Sequence, residues 1–253
     1  MIKLLMRLPS WFLIKLSGKK QIEIGDRKLH PPFQFLLKLT ENLVTDFTTL
    51  TPDQFRAAYV DQSKISAKMP SGIEWKDHEI EVLKGKIFIR EYHSKKIKEN
   101  GPSLVYFHGG GWVIGDIETH HQLTAYICDK LDAKVFSVDY RLSPEFKYPI
   151  PLDDCNAAFD WIFNNSESLG LDKDRISAGG DSAGGNLTAA LCLKRKEENK
   201  SLPKVQLLLY PVTDLQLKKD SIEECAEGFF LTKSAMEWFR KHYLNSLDEM
   251  KDP

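Results

Sequence analysis

No stretch of this chain is both long enough and apolar enough to span a bilayer, because the apolar start from Met1 to Leu16 is broken by Lys3, Arg7, Pro9 and Lys15. That start also lacks a small-residue cleavage site. This argues against a signal peptide and favours an amphipathic lid helix, with an interfacial anchor and peripheral membrane contact as the lesser alternative. The four cysteines, Cys128, Cys155, Cys192 and Cys225, have no C-x-x-C spacing, and the first three fall in stretches that read as helices. Buried free thiols in a reducing, cytoplasmic compartment are therefore expected, and neither disulfides nor a zinc site. Neither G-x-x-x-x-G-K-[ST] nor G-x-G-x-x-G occurs, so the fingerprints of phosphate and dinucleotide binding are absent. Charge of one sign is nowhere concentrated: 35 basic and 36 acidic residues are interleaved, which points away from nucleic acid and toward a small-molecule partner. Histidine is scarce in the last third, where only His242 follows position 182.

What is present is enough for one large α/β unit with an added lid: 253 residues, 42% of them hydrophobic. Residues 1 to about 62 read as a helical N-terminal cap, with Leu36, Leu37, Leu39, Leu43, Val44 and Phe47 near helical spacing and no obvious strand. Thr51-Pro52-Asp53-Gln54 predicts a capped helix start running to about Asp61, and Ser63 to Gly72 reads as a linker. From residue 73 the period changes. Ile80-Glu81-Val82 and Ile87 to Tyr92, parted by Lys84-Gly85-Lys86, predict a hairpin. Apolar runs at Leu104 to Phe107, Lys134 to Val138, Arg175 to Ala178 and Val205 to Tyr210 then alternate with helical stretches, including the stripe Leu152, Cys155, Phe159, Ile162. That is the pattern of a parallel sheet with crossover helices. After Tyr210 only a helix from about Ser234 to Tyr243 is expected.

Two glycine-rich segments each follow a strand: His108-Gly109-Gly110-Gly111-Trp112 and Gly180-Asp181-Ser182-Ala183-Gly184-Gly185. A serine hydroxyl is a poor nucleophile unless the chain exposes it on a tight turn and a base takes its proton. Gly180 and Gly184 leave room for such a turn between strand and helix, where Ser182 is the candidate nucleophile. The helix that starts there brings the Ala183 N–H and a positive dipole end to the oxygen that becomes charged. The side-chain-free loop offers the N–H groups of Gly110 and Gly111 as further oxyanion donors, with His108 as a brace for the loop. Trp112, Asp181, Phe229 and Phe230 are pocket candidates, although the aromatic residues fit a core equally well.

These motifs, with Asp139-Tyr140-Arg141-Leu142-Ser143-Pro144-Glu145, Tyr148-Pro149, Tyr210-Pro211-Val212-Thr213-Asp214 and Gly228-Phe229-Phe230-Leu231-Thr232, resemble the hormone-sensitive-lipase-like carboxylesterases. The resemblance covers about Leu29 to the last residue. It implies an α/β-hydrolase fold, a mostly parallel sheet with flanking helices, under a helical N-terminal cap, with carboxylic-ester substrates and no cofactor; the serine chemistry would run through an acyl-enzyme, and Trp112 with the Phe229-Phe230 pair suggests short to medium acyl groups. In that family two more strands follow the segment matching Trp238 to Pro253, and their loops carry the acid and the histidine. At about 30 residues per strand-plus-crossover unit, roughly 60 residues of catalytic domain are expected beyond Pro253, leaving a domain of residues 73–253 that is C-terminally incomplete and weakly active or inactive. Asp214 and His242 keep the chain order Ser, Asp, His but read as a turn residue and a packed helix residue. A non-catalytic small-molecule-binding protein on the same fold, as in the plant hormone receptors that resemble these esterases, is the alternative.

Overall fold

The computed structural model describes residues 5–41, 47–64 and 68–252. Leu43, Val44 and the side chain of Phe47, three members of the predicted N-terminal stripe, lie outside the described residues, as does part of the predicted linker. The chain divides into two compact units, one of Met1–Thr49 with Leu217–Trp238 and one of Leu50–Gln216 with Phe239–Pro253. The capped helix after Thr51 thus goes with the sheet, and a later segment joins the N-terminal helices.

In the first unit, α1 (Ser10–Leu16) packs on α2 (Pro31–Thr40). The join is made by a buried amide: Gln34 accepts from the Ile22 N–H at 2.9 Å and donates to Ser17 Oγ at 2.8 Å and to the Lys20 carbonyl at 3.1 Å. Between the helices stands a hairpin that the sequence reading missed, β1 (Glu23–Ile24) against β2 (Arg27–Lys28), turned at Gly25 with φ +60. Two residues per strand are too few to display a period. The later segment contributes a short helix, Asp220–Glu224, whose Glu223 and Glu224 form ion pairs with Lys233 and Arg27.

The second unit starts with α3 (Pro52–Ser63), capped as predicted by a reciprocal Thr51–Gln54 box. The six-stranded sheet runs β3 (Ile73–Val82), β4 (Gly85–Ser94), β6 (Lys134–Asp139), β5 (Gly101–Phe107), β7 (Leu171–Asp181), β8 (Gln206–Leu209) in spatial order. β3–β4 and β4–β6 are antiparallel, and the remaining pairs are parallel. The hairpin turn falls at Leu83–Lys84, one residue before the predicted glycine, and Lys84 takes the left-handed φ of +58. Parallel neighbours need crossovers, supplied by α4 (His121–Leu131), α5 (Ile150–Asn164) and α6 (Ala183–Glu197).

Alternation along β5 explains why that strand reads as an unbroken apolar run. Val105 and Phe107 face the core shared with Leu152, Cys155, Phe159 and Ile162 of α5 and Leu187 and Leu191 of α6, while Leu104 and Tyr106 face Ala125 and Cys128 of α4. Cys128, Cys155 and Cys192 are buried free thiols, and burial raises the pKa of each. β8 is the last strand on its side, with Val205, Leu208 and Tyr210 exposed. The chain ends with α8 (Lys233–Tyr243), with the helix of Asp220–Glu224 counted as α7, and a 3-10 turn, Leu247–Lys251. Among the described residues no helix is long and apolar enough to cross a membrane.

Candidate active site

Ser182 sits between the end of β7 and the start of α6 with φ +53 and ψ −115, a conformation outside the regions open to ordinary side chains. The turn is held from outside: the Ser182 N–H donates to the Leu209 carbonyl at 2.9 Å, and its carbonyl accepts from Asn186 at 3.0 Å and Val212 at 3.3 Å. Gly180 and Gly184 are required sterically. A Cβ on Gly184 would lie 2.6 Å from the Phe107 carbonyl carbon and 2.7 Å from the His108 oxygen, and one on Gly180 would lie 2.5 Å from the carbonyl carbon of Gly184. Ala183 opens the helix, so its N–H belongs to the first turn, whose donors have no intrahelical acceptor.

The loop after β5 is fixed peptide by peptide. His108 Nδ1 lies 2.8 Å from the Gly109 carbonyl oxygen, which can only accept, so Nδ1 carries the proton and donates. Because the peptide is planar and trans, fixing the Gly109 carbonyl also sets the opposite direction of the Gly110 N–H. The Gly110 carbonyl in turn accepts from Val113 at 3.1 Å and Ile114 at 2.9 Å, which sets the Gly111 N–H in the same way. Gly110 (φ +121) and Gly111 (φ +58) allow this path. A Cβ on Gly111 would also run into the Phe239 ring. His108 is wholly buried and stacked on Tyr140 with centroids 4.3 Å apart. Burial, assisted by repulsion from His120, pushes its pKa down to about 4, so it stays neutral as a brace.

Asp181, expected in a pocket, turns inward instead. Its Oδ1 accepts from the Gly109 N–H at 2.9 Å and from the Tyr106 hydroxyl at 2.7 Å, with His120 Nε2 at 3.7 Å. Burial would raise the pKa of this carboxyl, but His120, Tyr106 and the Gly109 N–H outweigh it and hold the pKa below the ordinary value. Trp112, the next pocket candidate, is a core residue, stacked on Tyr243 at 4.2 Å and nearly parallel at 6°. Phe229 and Phe230 belong to the first unit, where they line a cavity of about 280 Å³ with Ile22 and Leu37. Asp214 closes a turn by accepting from the Gln216 N–H at 2.8 Å, and His242 lies in the last turn of α8. Among the described residues no group of three or more His, Cys, Asp or Glu is placed to hold a metal ion.

Residues 104–253 match the family model described as alpha/beta hydrolase fold. The chain belongs to the α/β-hydrolase fold family. Within this family it stands among the hormone-sensitive-lipase-like carboxylesterases. The hydrolase chain is 34% identical over 255 residues to the carboxylic ester hydrolase LipN of Mycobacterium tuberculosis, covering 98% of this chain and 67% of LipN. It is 32% identical over 154 residues to the ethyl acetate hydrolase of Pseudomonas putida, covering 60% of this chain and 48% of that enzyme. The solved structure of an α/β-hydrolase enzyme from the metagenome of Lake Arreo, Spain, superposes with a TM-score of 0.82 at 35% identity, over 86% of this chain and 70% of that one. The chain thus spans between about half and two thirds of the length of LipN and the ethyl acetate hydrolase.

Proposed function

We propose that the protein carrying this chain hydrolyses carboxylic esters of short to medium acyl length through a serine acyl-enzyme. The observation that carries the reading is the pairing of a serine at φ +53 on a strand-to-helix turn with a glycine loop hydrogen-bonded to the residue just before that serine. In the proposed reaction Ser182 Oγ attacks the ester carbonyl. The carbonyl oxygen gains negative charge and accepts from the N–H groups of Gly110, Gly111 and Ala183. The C–O bond of the ester breaks and the alcohol leaves with the proton given up by the Ser182 hydroxyl; water then attacks the acyl-serine, releasing the acid and returning a proton to Ser182 Oγ. Preoriented main-chain donors need no reorganisation as charge develops, and one such donor is worth about 3 kcal/mol in the transition state. LipN and the ethyl acetate hydrolase, by their names, support ester substrates. The acyl length is an expectation from the sequence alone. The reading assigns the nucleophile and oxyanion donors to this chain and gives no base role to His108, whose Nδ1 is committed to Gly109.

The test is hydrolysis of a short nitrophenyl ester by the whole protein and its Ser182→Ala variant, with intact mass following acylation. Loss of turnover and of the acyl adduct in the variant is expected. Equal turnover by both would refute the nucleophile.

A further inference from the structure

The buried face of the site holds more ionisable groups than the proposed chemistry uses. Two hydrogen-bond donors and one ring nitrogen converge on a single carboxylate oxygen, Asp181 Oδ1, and each comes from a different element. They are the Gly109 N–H from the loop, the Tyr106 hydroxyl from β5 and His120 Nε2 from the cap of α4. The fit is tight: a Cβ on Gly109 would lie 2.9 Å from Asp181 Cγ. His120 is itself 5% exposed, and its ring lies between His108 (5.3 Å) and Tyr59 (6.3 Å). Its Nδ1 is 3.1 Å from Thr119 Oγ1. At 3.7 Å from the carboxylate oxygen, His120 Nε2 is beyond direct hydrogen-bond reach, and its interaction with Asp181 is electrostatic.

We infer that His120 is a positioning residue for the glycine loop, acting through Asp181. The inference rests on the esterase reading only for its catalytic consequence. The His120 ring beside Asp181 is one of the groups that favour its ionised form, and an ionised carboxylate is the stronger acceptor for the Gly109 N–H. That bond ties the loop to the residue preceding Ser182, so the donors and the nucleophile are held on one support. Tyr59, Tyr106, Tyr210, His108 and Asp116 are the other titratable groups facing this cluster. Tyr59 is pushed up to about 12, chiefly by burial, and Tyr106 higher still, so both stay neutral near pH 7. His108 is neutral as well, and His120 is the imidazole whose ring nitrogen comes within 4 Å of this carboxylate.

The experiment is amide hydrogen exchange at Gly109 in the full protein, with Val105 of β5 as an internal reference. The variants are His120→Gln, Asp181→Asn and their combination. His120→Gln is expected to speed Gly109 exchange about tenfold with Val105 unchanged. In the Asp181→Asn background the same substitution is expected to change nothing further, because the charge it acts on is gone. Wild-type protection in His120→Gln would overturn the inference. So would an equal effect with and without the Asp181 carboxylate, which would mean packing and not charge. Because exchange requires no turnover, a wild-type protein that shows the coupling but hydrolyses no ester would sink the esterase reading and leave this link standing.

Discussion

Replacing Gly184 by alanine is the sharpest perturbation of the nucleophile turn, because opposing effects of known size meet there. As an early residue of α6, alanine would be favoured over glycine by about 1 kcal/mol on helix propensity alone. Against this, the new Cβ would stand 2.6 Å from the Phe107 carbonyl carbon and 2.7 Å from the His108 oxygen, both main-chain atoms of β5 and its loop. No side chain can swing aside, so α6 and the end of β5 must part by about 1 Å to restore ordinary carbon contact. Overpacking of this kind costs about 3 kcal/mol at the upper end of its range, so the steric effect wins by about 2 kcal/mol. Thermal unfolding is expected about 4–8 °C lower. The parting also separates Ser182 from the Gly110 and Gly111 donors, and a displacement of about 1 Å costs about 100-fold in kcat/KM for ester hydrolysis. Gly170→Ala is the matched control. Its φ of +63 makes alanine cost about 1–2 kcal/mol, yet the nearest atom to the new Cβ is Lys134 Nζ at 4.0 Å, and activity should stand. Wild-type stability and turnover in Gly184→Ala would refute the steric account.

Two further outcomes are expected. Burial, with Asp116 nearby, pushes the Asp139 carboxyl up to about 6 from an ordinary 3.8, so the folded state binds the proton more tightly than the unfolded chain. Asp139 therefore lowers stability as pH rises from about 4 to 6, by up to about 3 kcal/mol, while His108, with its pKa at about 4, raises stability over much of the same window. Urea unfolding of Asp139→Asn across that range should show only the rising part, and a slope equal to that of the wild type would contradict the assignment. At the outermost strand β8, Val205, Leu208 and Tyr210 stand 58%, 38% and 75% exposed. A polypeptide of these 253 residues should self-associate, and Leu208→Lys should shift sedimentation toward monomer. Monomeric wild type at high concentration would disprove this.

Much of the frame was legible in the sequence because it is local. The Thr51 cap, the α5 stripe and the apolar runs of β5 and β6 each announce themselves within a few residues. The spacing of Gly180 and Gly184 also carries its reason, a bend with no room for side chains. Non-local partners left no such trace. Nothing in the string tells that Asp181 bonds to an N–H 72 positions earlier, or that His120, legible only as the start of a helix, faces that carboxylate. Trp112 was balanced between pocket and core until its stacking on Tyr243 placed it in the core. No local signal joins Leu217–Trp238 to the N-terminal helices, because the two segments lie far apart in the chain.

That last arrangement bears on synthesis. Met1–Thr49 emerges from the ribosome first, but its companion Leu217–Trp238 follows only after the whole of Leu50–Gln216. At typical elongation rates the gap of roughly 170 residues lasts about 10–30 s. During that interval the N-terminal helices wait without their partner, so a nascent chain stalled before residue 217 should remain open to proteases and chaperones at its N-terminus while its sheet is already assembling.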